Sequence, residues 1–470
     1  EIRHDDITEE TIDIYARTAG VNGAMGMVID LEETNPAGWH NYHPEPLEHY
    51  TDAVIYEMHV RDFSIDKSGN FCYKGRFLAF VEKGVINAAG DKIGIDHLKE
   101  LGVTHVHLMP SFDYQTVDET RLNVPQFNWG YDPQNFNCPE GSYSTNPYDG
   151  RARVAEFKRL VHALHCQGIR VIMDVVYNHT YATADSPFNK IFNKYYYRLW
   201  GENGEYFSNG SGCGNEIATE RFMVRKYIID SLVYWATEYK IDGFRFDLMG
   251  LYDIETMNKI DETLHAINPD IILYGEGWIG GDSPLADSKR AMKLNARHTP
   301  NIAFFSDDFR DTIKGNNFEN RSRGYVNGAT GSEEYVKEVM CGRIPHPQIP
   351  NLTKFAWTLS PCQTVNYVEA HDNLTLWDKL IYTNPTDSLD TRKKMDKMAA
   401  ACVFLAQGIP FIQAGQDFLR SKPLPGGAYD HNSYNSPDAV NSLKWDRKSE
   451  FRDVFDYYKG LIEFRKAHSA

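Results

Sequence analysis
The chain has 470 residues, 42% hydrophobic and 24% charged, with a formal charge of −16. Such a balance describes a globular protein with a sizeable core, and its negative sign excludes nucleic acid as a partner and gives no pull toward anionic membranes. Seven cysteines (72, 138, 166, 213, 341, 362 and 402) form no CxxC pair and no metal-type spacing, so neither a disulfide framework nor a zinc site is implied. No apolar run reaches the roughly 18 residues of a membrane span. Cytoplasmic and exported locations both stay open.

In chain order, the first 50 residues stand apart. GMVIDLEETNPAGW (26–39) reads as a strand and a turn leading into the strand-rich remainder of the chain. From residue 51, apolar stretches of strand length recur: 54–60, 105–110, 170–176, 243–249, 271–276, 303–307, 364–370 and 409–415. Between several of them lie helical periods, at 154–168, 223–240 and 393–408, and a last one at 451–468. Gly168 and Gly408 close two of these as helix C-caps do. Apolar strands alternating with helices imply a parallel sheet covered on its outside. Eight of them over about 400 residues predict an α/β protein of the (β/α)8 barrel type, spanning 51–470 with a long loop insertion after strand 3, about 180–222.

In such a barrel the functional groups gather at the C-terminal ends of the strands. Strand 3 runs into Asp174, Asn178 and His179, strand 4 carries Arg245 and Asp247, strand 5 ends in Glu276, and strand 7 ends in His371 and Asp372. A single charge at a strand end is more often a buried ion pair than a functional group. Charge at the same end of four strands points to a common mouth. An arginine beside a carboxylate keeps it ionised as a nucleophile, and a second carboxyl in drier surroundings stays protonated as an acid. Two such groups about 5 Å apart are what a retaining glycosidase uses.

DVVYNH (174–179), GFRFDLMG (243–250), YGEGW (274–278) and VEAHDN (368–373) resemble, in order and spacing, the four main sequence regions of the α-amylase superfamily of glycoside hydrolases. The resemblance implies Asp247 as nucleophile, Glu276 as general acid/base and Asp372 as the stabiliser that grips sugar hydroxyls. It implies Arg245 as the residue orienting Asp247, with His179 and His371 on hydroxyls at the cleavage site. FNWGYDP (127–133) is similar to the YNWGYDP signature of the type I pullulanases, which cut α-1,6 bonds, with Phe127 in place of tyrosine. That match implies ring stacking on Tyr131, with Asp132 near it, and rings faced by Trp129 and Trp278; Leu248 and Met249 fit the same pattern, as does the stretch at 429–446. The resemblance runs from about residue 26 to 468. It implies branched α-glucans as partners, and an N-terminal β-sandwich of which residues 1–50 are a remnant, with the C-terminal β-sandwich missing.

Other signals weigh less. His105 and His107 share a strand face, but no third imidazole completes a metal site. The glycine-rich SNGSGCGNE (208–216) lacks the lysine of a phosphate loop and reads as a wall of the cleft. GWIGGDSPL (277–285) is the strand 5 loop, next to the acid. Asp307 and Asp308 suit substrate contact or helix capping equally. No cofactor is expected and no metal is required, although the resemblance allows a structural calcium near Asn178. Three alternatives remain: a relative acting on α-1,4 bonds, a non-catalytic glucan-binding paralogue, and a metal-dependent amidohydrolase.

Overall fold
The computed structural model describes the whole chain except residues 1, 5–6, 43, 350–355 and 469–470, with backbone alone for 2–4 and 7–9. Eight parallel strands close into a barrel: β1 (Ile55–Met58), β2 (His105–Leu108), β3 (Arg170–Val175), β4 (Gly243–Phe246), β5 (Ile272–Gly275), β6 (Ala303–Phe305), β7 (Thr364–Asn366) and β8 (Ile409–Gln413). Each pairs with the next and β8 returns to β1. All eight predicted strands are present, each trimmed by a few residues where the chain turns into a loop.

The longer helices are α1 (Ile95–Leu101), α2 (Gly150–His165), α3 (Phe222–Glu238), α4 (Ile254–Ile267), α5 (Asp307–Lys314), α6 (Glu333–Met340), α7 (Leu376–Thr383), α8 (Leu389–Leu405) and α9 (Arg452–Ala467). Side-chain oxygens of Asp149, Asp253 and Ser388 cap α2, α4 and α8 by accepting their first free amides. Alternation of side chains along the strands divides the core in two. Ile55, Ile172, Ile272, Phe305, Val365 and Phe411 fill the barrel lumen, while a larger cluster packs between the sheet and the helices. Between β5 and β6 the chain makes only 3-10 turns, at Asp287–Lys289 and Lys293–His298.

Two local expectations change. Residues 26–39 form no strand: after an isolated bridge at Gly26 the chain runs irregularly into 3-10 turns at Glu32–Thr34 and Trp39–Asn41. Val28, which helped suggest a strand, is fully exposed. Gly408 is not a helix cap, since α8 ends at Ala406 in extended geometry. Gly408 instead has φ +128, and a Cβ there would fall 2.4 Å from Thr364 Oγ1 on β7, so the close approach requires glycine. Gly168, after α2, does take the left-handed φ of +74.

The N-terminal segment lies against the barrel. Thr18 Oγ1 donates to Gly150 O at 2.8 Å, Tyr15 Oη to Asp230 at 2.8 Å, and Lys158 Nζ to Leu31 O at 3.0 Å. The loop from β3 to α3 carries a short helix at Pro187–Ile191 and a small hairpin, Leu199–Trp200 with Tyr206–Phe207. A second hairpin, Phe112–Tyr114 with Pro133–Pro139, follows β2 and carries the FNWGYDP stretch up to the mouth.

Candidate active site
Register builds the site before any side chain is considered. Arg245 on β4 pairs with Asp174 on β3 and Tyr274 on β5, and Glu57 on β1 pairs with His107 on β2 and Gln413 on β8. The charged residues at the strand ends are therefore brought together by the barrel itself.

Arg245, 2% exposed, is the hub. Its Nη1 donates to Asp174 and to Asp247, each at 2.9 Å, and its Nη2 lies 2.6 Å from Oε1 of Glu276. A guanidinium is a rigid plane with terminal nitrogens about 2.3 Å apart, so Oδ1 of Asp247 and Oε1 of Glu276 are held within about 8 Å. That ceiling admits both the roughly 5 Å spacing of retaining and the roughly 6.5–9.5 Å spacing of inverting two-carboxylate glycosidases. Buried charge at three of these strand ends is thus both paired and placed.

Two acids this close cannot both ionise cheaply. Burial pushes Glu276 up to about 8, with Arg245 opposing and Asp247 and Asp372 adding to the rise. Burial raises Asp247 as well, against the pull of Arg245 and a 2.7 Å hydrogen bond from Asn178 Nδ2. Each acid accepts from two donors, and Asp247 starts from the lower ordinary value, so the negative charge favours Asp247 and the proton Glu276.

His371 is fixed from behind by Glu57, which accepts from its backbone N–H and its Nδ1, both at 2.7 Å. Although burial opposes it, the nearby Glu57 and Asp372 carry the imidazole up to about 9. Tyr131 stacks on the His371 ring at 5.1 Å and donates through Oη to Asp174 at 2.8 Å. Asp372 itself is half exposed, its Oδ2 3.7 Å from His371 Nε2.

The cleft beside these groups measures about 590 Å³ and is lined by Arg245, Glu276, Trp278, Asp307, Tyr367, His371 and Asp372 among others. It continues past the buried Asn317 and the exposed Phe318 into a wider depression of about 750 Å³. Trp278 is partly exposed and faces this space.

Several expected contacts fall elsewhere. Met249 is fully buried, packed against Gly275, and cannot reach a ligand; its neighbour Leu248 stays partly open with a left-handed φ of +40. Trp129, 6% exposed, sits edge-on behind His371 at 4.8 Å and backs the wall, offering no open ring face. Asp132 turns away to accept from the Thr116 N–H at 2.7 Å, and burial pushes it up to about 6. His179 sets Nε2 2.9 Å from the Tyr131 carbonyl and Nδ1 beside Asn178 Oδ1; burial lowers it to about 4, so the neutral ring donates to one of these two oxygens, and a donor Nε2–H anchors the Tyr131 loop. Asp307 does not cap α5; Ser306 does, while Lys293 bridges Asp307 and Asp308. Phe127 packs on the His59 ring at 4.7 Å.

Sequence reasoning missed Glu57 and undervalued Asp174. Each looks like an ordinary polar residue in an apolar strand, and the only signal was that a buried acid needs a partner. His107 donates to Asp174 at 3.1 Å and supports the hub.

Among the described residues, Asp113, Glu119 and Glu140 form the acidic group close enough to hold a metal. Arg153 already bridges Asp113 and Glu119 at 3.0 and 2.9 Å, and Glu140 accepts the amides of Tyr114 and Ser142. Asn178 points its amide at Asp247 and His179. Neither set suits a calcium ion, which wants free oxygen ligands.

With this geometry in place, comparison with known proteins is decisive. Residues 71–197 match the alpha-amylase catalytic domain family. The chain is 42% identical over 468 residues to the pullulanase of Bacillus subtilis (strain 168), covering 98% of this chain and 62% of that protein. The structure of the Paenibacillus barengoltzii pullulanase without ligand superposes with a TM-score of 0.92 at 47% identity, covering 97% of this chain and 68% of that one. The same enzyme has been solved with maltohexaose and alpha-cyclodextrin, and superposes with a TM-score of 0.92. The pullulanase of Bacillus acidopullulyticus gives 0.92 at 45% identity, with 99% of this chain and 55% of that one covered.

The chain belongs to the type I pullulanases of the α-amylase superfamily. It spans about three fifths of the Bacillus subtilis relative's length. No helix among the described residues is long and apolar enough to cross a membrane.

Proposed function
We propose that the chain is a retaining glycoside hydrolase that cleaves α-1,6 branch linkages in pullulan, amylopectin and limit dextrins. The observation that carries the mechanism is the pair of acids held by one guanidinium, Asp247 on one side and Glu276 on the other. Membership of the pullulanase family supports the linkage, and the open rim beyond Asn317 supports a branched substrate by giving a second chain room.

Glu276, protonated near neutral pH, gives its proton to the glycosidic oxygen as the bond to the anomeric carbon breaks. Asp247 attacks that carbon from the opposite face and forms a glycosyl ester. Glu276, now a carboxylate, takes a proton from water, whose oxygen displaces Asp247 and leaves the sugar with its original configuration. Arg245 keeps Asp247 charged and in line. Tyr131 and Trp278 offer ring faces, while Asp372 and the charged His371 hold hydroxyls.

Digestion of pullulan tests the linkage. Maltotriose is the expected product. Panose would mean α-1,4 cleavage, and no digestion with intact glucan binding would favour a non-catalytic paralogue.

A further inference from the structure
Lys314 closes α5 and lines the cleft, yet it is only 1% exposed. Its backbone carbonyl is taken by Asn327 Nδ2 at 3.2 Å. Its Nζ has no hydrogen bond and no ion pair among the described residues.

The neighbouring cations are satisfied. Arg310 donates to Tyr367 Oη at 3.0 Å and to Asp311 at 2.7 Å. Lys379 donates to the carbonyls of Asn316, at 2.8 Å, and Glu319. Gly315, at φ +93, then turns the chain so tightly that a Cβ would fall 2.2 Å from Ser322 O. The end of α5 is thereby fixed, and the amine with it.

A buried amine without a partner is unfavourable. Burial, with repulsion from Arg310 and Lys379, pulls Lys314 down to about 7 against the attraction of Glu369 and Asp311. Glu369 attracts the amine without pairing with it, its own carboxyl being pushed by burial up to about 8. The amine thus sits beside the substrate space as donor or acceptor, and a sugar hydroxyl can serve it in either state.

We propose that Lys314 contacts substrate, its Nζ hydrogen-bonding a hydroxyl of the glucan ring that lies along the α5 wall between Tyr367 and Asn317. The proposal rests on the hydrolase reading for its ligand class. It adds a binding contact on the β6 side of the cleft that Arg245 and Glu276 also line.

The test uses the Asp247→Asn protein, which holds substrate without turning it over, with the probe a hexasaccharide of two maltotriose units joined by an α-1,6 bond. Calorimetric affinity is compared for Lys314, Lys314→Met and Lys314→Gln. The methionine variant should bind about tenfold more weakly, while glutamine, which keeps a donor and an acceptor, should recover to within about threefold. Thermal stability should not fall in Lys314→Met, because an unpaired buried amine is removed. Affinity unchanged by methionine, equal losses in both variants, or failure of Lys314→Met to fold would each overturn the assignment, the last two by showing a structural role. Pullulan turnover by the native chain is measured alongside. Its absence counts against the hydrolase reading, whereas the three-way affinity comparison judges Lys314 alone.

Discussion

The backbone N–H of Leu248 donates to Oε2 of Glu276 at 2.9 Å. The residue directly after the proposed nucleophile thereby fixes the proposed acid, and β4 and β5 are coupled at the point where chemistry needs them coupled. Leu248 pays for this with its left-handed backbone, a conformation that non-glycine residues seldom adopt.

Asp247→Asn removes the nucleophile but keeps a side chain of the same shape for Asn178 and Arg245. Turnover of pullulan should fall by about four orders of magnitude or more, with glucan affinity within a few-fold of the native value. Residual activity above about 1% of native would remove Asp247 from the role.

The proton on Glu276 sets the alkaline side of the activity profile. With its carboxyl near 8, kcat/KM should decline as pH rises through that value, because the acid form is the one that protonates the leaving oxygen. Replacing Glu276 by Gln should leave a much slower enzyme whose remaining activity lacks this alkaline limb. A limb that persists unchanged in Glu276→Gln assigns the titration to another group.

His371 and Glu57 make a pH-dependent contribution to stability. The folded imidazole is near 9, above its ordinary 6.5, so the pair's contribution is complete below about 6.5 and is lost as pH rises through 9. Glu57→Gln should cost about 3 kcal/mol at pH 6 in denaturant unfolding, and much less at pH 10. An equal cost at both pH values would show that the imidazolium is not what Glu57 holds.

Trp278 is partly open to the cleft and borders the acid. Its replacement by alanine should raise KM for pullulan by about tenfold, the value of one lost aromatic platform, with the melting temperature nearly unchanged. An unchanged KM would place the ring outside the substrate path.

Much of the barrel was legible because its strands are runs of apolar residues that no other arrangement buries as well, VIYEM and RVIMDVV among them. The same cue failed at 26–39, where Met27 and Val28 are apolar but lie at the surface. The acids could be read because four strands end in charge. What could not be read was direction: Met249 turns inward after the twist at Leu248, and Asp132 turns back to Thr116. Glu57 was hidden because its partner His371 lies 314 residues along the chain. Nothing in the sequence sets Lys314 apart, and only the packing around α5 shows it buried.

Trapping the intermediate tests the central claim most directly. The Glu276→Gln protein, given an activated fluorosugar whose loss from the enzyme is slow, should gain the mass of one glycosyl unit. Peptide mapping should place that unit on the fragment holding Asp247. A modified fragment without Asp247, or no adduct together with a product of inverted configuration, would contradict the account.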